Sequence, residues 1–120
     1  MPVDNDLAVL SFETALQFVG DADFFVEISE MLLEELPEQM GLLNTHWENR
    51  DLTNLYKTAH RLKGNFGVVA AEQAHAAAKT LERVAKEGDE AASEAAVAEL
   101  TEAVDTVVPV LISHIEAARA

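Results

Sequence analysis

Between residues 57 and 67 the chain reads Lys57-Thr58-Ala59-His60-Arg61-Leu62-Lys63-Gly64-Asn65-Phe66-Gly67, with three cations and no acid around a single imidazole. A neutral imidazole that keeps a proton on one nitrogen offers the other as a lone-pair nucleophile. Ammonium groups nearby offset the negative charge that develops when that nucleophile takes up an anionic group, a phosphoryl group above all. The glycines need a reason, since each costs about 1 kcal/mol relative to alanine inside a helix. Gly67 fits as a helix terminator. Gly64, one turn after His60, fits no structural role; its missing side chain clears a path for a large partner to reach the imidazole. Further on, His75, Lys79, Glu82 and Lys86 recur at i, i+4, i+7 and i+11, one stripe of another helix. Glu82 can hold the proton on one imidazole nitrogen and so set the tautomer. Lys63 and Lys86 would then surround an arriving phosphoryl group, with Lys79 nearby and Lys57 and Arg61 placed to dock its carrier.

For this to work, two helices must bring His60 and Glu82 together. Leu52, Leu55, Tyr56, Ala59, Leu62, Phe66 and Val69 recur at helical spacing. At 100° per residue they span an arc of roughly 140°. His60 lies more than about 100° from the centre of that arc, on the exposed flank, with Gly64 and Gly67 beside it. Ala74, Ala77, Ala78, Leu81, Val84 and Ala85 repeat the pattern, stopped by Gly88. A hairpin turning near residues 68–71 sets His60 and Glu82 at equal heights. Before it, Ser11 caps a short helix through Val19, closed by Gly20. Asp21 or Asp23 caps a long helix carrying Phe24, Phe25, Ile28, Met31, Leu32 and Leu36. Pro37 kinks that helix, because proline lacks the donor that residue 33 needs. The pattern resumes at Met40, Leu42, Leu43 and Trp47, and Asn49-Arg50-Asp51 connects and caps. After Gly88, Asp89 begins a last helix with Leu100, Val104, Val107, Val108, Leu111, Ile112 and Ile115 on its face and a bend at Pro109. The expectation is an all-α fold over residues 1–120. It is a single antiparallel four-helix bundle with a short additional N-terminal helix.

Composition sharpens what such a bundle can bind. The 120 residues contain no cysteine, which excludes a thiolate metal site, and 22 acids against eight cations give a net charge of −14. A chain of that charge is repelled by nucleic acid and by anionic membranes. The cations are not spread evenly, however. Residues 51–86 hold six of them against three acids, while residues 1–50 carry −10 and residues 87–120 carry −7. A net-positive stretch in an acidic chain reads as a face for an anion or an acidic partner. No apolar run is long enough to span a bilayer and no leader pattern opens the chain, so a cytoplasmic protein is expected; nothing in the sequence looks like a dimer seam, so a monomer is expected. His46, His75 and His114 read as surface or rim histidines. A metal-binding bundle is the rival class, but it needs two Glu-x-x-His pairs, and Glu72-Gln73-Ala74-His75 supplies one.

The run Ala59-His60-Arg61-Leu62-Lys63-Gly64, followed by Gly67, resembles the phosphoacceptor motif of histidine phosphotransfer (HPt) domains of bacterial phosphorelays. Leu16–Asp21, the Leu-Glu-Glu-Leu-Pro run at 33–37 and Leu81-Glu82 are also similar, so the likeness covers residues 11–90 well and the last helix in kind. The resemblance implies that His60 carries the phosphoryl group, that Lys63 steadies its oxygens, that Gly64 admits a receiver domain and that Glu82 orients the imidazole. It implies a phosphocarrier with no ATP site and no cofactor of its own. Mg²⁺ would belong to the partner receiver, and the partners would be response-regulator receivers or a hybrid histidine kinase. Ala70 departs from the glycine that many members carry, and Phe66 stands where small residues are usual. A docking module that binds such partners without accepting phosphate is the alternative.

Overall fold

In a computed structural model, residues 22–69 and 71–119 are described. They form four helices in the order α1 (Ala22–Glu48), α2 (Leu52–Val68), α3 (Glu72–Lys86) and α4 (Glu90–Arg119). The architecture is an all-α bundle. The short helix expected over 11–19 and the cap at Asp21 lie outside the described residues. Asp23 is not a cap; it sits inside the first turn of α1, where its charge faces the positive end of the helix.

Neither proline ends its helix. Pro37 lies within α1 and Pro109 within α4. Each is exposed and flanked by buried anchors, Leu36 and Leu43 for the first, Val107 and Leu111 for the second. Burial on both sides of the missing hydrogen bond keeps each segment helical. Real breaks come from local chemistry. Arg50 takes φ 52° between α1 and α2, a left-handed conformation that is uncommon for arginine. Its guanidinium stacks 4.0 Å over the Trp47 ring and donates to the Trp47 carbonyl at 2.6 Å. Asp51 then caps α2, its Oδ1 accepting from the Asn54 backbone N–H at 3.2 Å. Gly88 (φ 76°) ends α3, and Asp89 caps α4 by accepting from the Ala92 N–H at 3.0 Å.

The core is built from Phe25, Leu32, Leu36 and Leu43 of α1, and Leu55, Ala59, Leu62 and Phe66 of α2. Ala74, Ala78, Leu81 and Ala85 of α3 face Leu100, Val104, Val107 and Leu111 of α4. Four apolar residues assigned to core faces from periodicity are instead exposed: Phe24, Met31, Leu42 and Ile112. They flank the buried stripes, because a helix in a four-helix bundle buries a narrower arc than the apolar pattern covers. The alanines matter most for the site. Small side chains at 59, 74, 78 and 85 let α2 and α3 approach closely. Phe66 is wholly buried, so Phe66→Ala should cost about 3–5 kcal/mol of stability. Urea unfolding followed by circular dichroism measures it.

Candidate functional site

His60 leaves α2 on its exposed flank, with 64% of its side chain open to solvent. Across the hairpin, Glu82 of α3 is mostly covered, at 17%. Its Oε2 lies 2.5 Å from His60 Nδ1, and Lys63 Nζ donates to its Oε1 at 2.9 Å. Both carboxylate oxygens are thus engaged, one by each residue of an i, i+3 pair on α2. Burial by itself pushes the Glu82 carboxyl up. The hydrogen bonds from Lys63 and His60 outweigh it and hold the group below the usual carboxylate range. An ionised carboxylate only accepts, so the proton between the two groups belongs to Nδ1. In the neutral ring, that leaves the lone pair on Nε2, on an exposed side chain.

Other predicted residues are placed differently. A Cβ added at Gly64 meets nothing within 4 Å, so the space beside His60 is open. Gly67 is neither a terminator nor part of that opening. It is helical, α2 continues to Val68, and a Cβ there would come 3.4 Å from His75 Cδ2. That is an ordinary van der Waals contact with the half-buried His75 of the opposing helix. Lys57, Arg61 and Lys79 are exposed and make no hydrogen bond or ion pair among the described residues. Lys86 reaches the site through Tyr56, its Nζ lying 5.6 Å from the centre of that ring. The Tyr56 ring in turn stands 6.4 Å from the His60 imidazole, tilted by 37°. Periodicity had assigned Tyr56 to the core face, and it is half-buried. Its spacing of i−4 from His60 was the available sign that the two rings share a flank.

Residues 27–108 match the protein family described as Hpt domain. The chain belongs to the Hpt domain family. The match starts within α1 and extends through most of α4, further into that helix than the motif resemblance reached. Comparison with curated proteins and with solved structures returned no significant match. Hpt domains serve histidine phosphotransfer in phosphorelays, as phosphocarriers that meet receiver domains and histidine kinases.

Two further features belong to the surface of this Hpt domain. His60, Gly64 and Val68 stand at i, i+4 and i+8 on one side of α2. Val68 borders a groove of about 170 Å³ between α1 and α2, lined with Ile28, Met31, Leu32, Glu35 and Asn65. Met31 is 61% exposed, so an apolar surface lies about two turns along α2 from His60. Periodicity had counted Met31 as core. Among the described residues, no three or more His, Asp or Glu side chains converge to hold a metal ion, and no helix is long and apolar enough to cross a membrane.

The shared carboxylate makes a titration prediction. The Glu82 pKa is depressed, so the stability it contributes is complete above the ordinary carboxylate range and is lost as pH falls through the depressed value. Carboxyl-carbon NMR should give Glu82 a midpoint below the usual value of about 4.3, and Lys63→Met should move it upward.

Proposed function

We propose that this Hpt domain accepts a phosphoryl group on His60 Nε2 from the phospho-aspartate of a receiver domain and returns it to the aspartate of another. The observation that carries the reading is the His60–Glu82 contact on an imidazole whose outer face is open. In the forward step the Nε2 lone pair attacks phosphorus. The bond from phosphorus to the aspartyl oxygen breaks, and the aspartate carboxylate leaves with the electron pair. The Nδ1 proton stays in place, so the product ring is a phosphoimidazolium. Glu82 then faces a positive ring and stabilises it, as a buried carboxylate does for a catalytic imidazolium. The reverse step needs no extra proton movement, which suits a carrier that gives up what it takes.

Lys63 acts here in a different order from a simple phosphate clamp. In the resting domain it holds Glu82 ionised, and only the arriving phosphoryl charge competes for its ammonium. Catalytic electrostatics beyond this come from the receiver, including its Mg²⁺, since positioning dominates phosphoryl transfer. Docking combines the apolar surface at Ile28, Met31 and Val68 with the cationic rim of Lys57 and Arg61. Receivers offer an acidic pocket, so opposite charge steers the encounter and salt weakens it.

Labelled phosphate followed from a panel of phosphorylated receivers tests the reading. The expected product is an acid-labile, base-stable adduct that disappears in His60→Gln. Transfer that survives in His60→Gln rejects the assignment, and binding without transfer in the parent supports the docking module instead. Gly64 gives an opposed pair of effects. Gly64→Ala should stabilise α2 by up to about 1 kcal/mol, because the added Cβ meets nothing. The same methyl narrows the approach to His60, so the transfer rate should fall while the melting temperature rises.

A further inference from the structure

We propose that Tyr56 is a positioning residue for His60, and that its ring holds the Lys86 ammonium ready for the phosphoryl group on Nε2. The inference rests on His60 as the phosphoacceptor. A hydrogen bond from Nδ1 to Glu82 fixes one atom of the imidazole but not the tilt of its plane, and the outer torsion of a histidine has a broad minimum. With most of the His60 side chain in solvent, packing restrains that tilt at one place only among the described ring contacts, the Tyr56 ring. A centroid separation of 6.4 Å with a 37° tilt lies within the range of favourable aromatic pairs. Tyr56 is itself half-buried one turn before His60 on the same helix, so it is anchored by the core rather than by the imidazole.

The same ring carries a cation. Lys86 is exposed, and a free lysine side chain would sample many rotamers in water. Its Nζ lies 5.6 Å from the Tyr56 centroid, inside cation–π reach. Lys86 stands one turn beyond Glu82 on α3, so the α2–α3 hairpin is joined here through Glu82 to His60 and Lys63 and through Lys86 to Tyr56. Lys63, one turn after His60, is committed to Glu82. A phosphoryl group brings roughly −1.5 to −2 of charge, and Lys86 is an ammonium, held at the Tyr56 ring, that can move onto it without releasing Glu82. Tyr56 keeps that ammonium close until it is needed.

Phosphoramidate is a suitable probe, because Nε2 attacks its phosphorus and ammonia leaves, with no receiver involved. Its rate of reaction should fall about three- to tenfold in Tyr56→Leu and stay within about twofold in Tyr56→Phe. Lys86→Gln should slow the parent and slow Tyr56→Leu much less. In the unphosphorylated protein, imidazole NMR should show a ring-current shift on the His60 carbon-bound protons that Tyr56→Leu abolishes and Tyr56→Phe keeps. A Tyr56→Leu protein with parental imidazole signals and parental rate overturns the positioning role. Independent, multiplying effects of Lys86→Gln and Tyr56→Leu overturn the holding role. If the parent takes no phosphate on His60, the phosphoacceptor assignment fails by itself, and the imidazole signals still decide whether Tyr56 orients the ring.

Discussion

One carboxylate is shared by two residues of the opposite helix, and the site depends on that sharing. Glu82 receives His60 on one oxygen and Lys63 on the other. A carboxylate with only the imidazole would stay easier to protonate, because burial works against its charge. Protonated, it would lose its hold on Nδ1–H, and the histidine tautomer would no longer be set. Lys63 therefore supports the nucleophile before any phosphate arrives. The i, i+3 spacing of His60 and Lys63 matches the two oxygens of a single carboxyl, and that match explains why both must come from one helix and Glu82 from the other.

The geometry has a structural cost that the rest of the bundle meets. Side chains as short as glutamate and histidine meet only if α2 and α3 pack closely. Alanines at 59, 74, 78 and 85 allow it. These small residues bury little apolar area themselves. Large side chains elsewhere supply the core, with Phe66 and Leu62 beneath the motif and Leu81 beneath Glu82. Residues that form the site thus alternate along each helix with residues that hold the helices together.

Charge works at a longer range. An acidic chain of −14 carries a net-positive central stretch, and the structure divides those cations by task. Lys63 and Lys86 are engaged at the site, by Glu82 and by Tyr56 respectively. Lys57, Arg61 and Lys79 are exposed, with no hydrogen bond or ion pair among the described residues. Engaged cations act locally on the imidazole and on what it carries; free ones contribute to the field that a partner meets first.

Much of this was legible in the residues. Periodicity located four helices, because buried and exposed positions alternate every three or four residues. Gly88, Asp51 and Asp89 marked helix ends through backbone and capping chemistry that acts within a turn. His60, Gly64 and Glu82 were legible because an exposed histidine, an unexplained glycine and a carboxylate at equal height are local facts joined by a single hairpin. What remained closed to sequence depended on rotation and on which arc each helix buries. Periodicity counts Met31, Leu42 and Tyr56 as apolar positions alike. Only packing decides that Met31 faces solvent and that Tyr56 stands with its ring 6.4 Å from the imidazole. The order of residues sets which groups can do the chemistry and on which helices they stand. Tertiary structure decided which of them touch, because contact between helices depends on their relative rotation and separation, and no spacing within one helix encodes either.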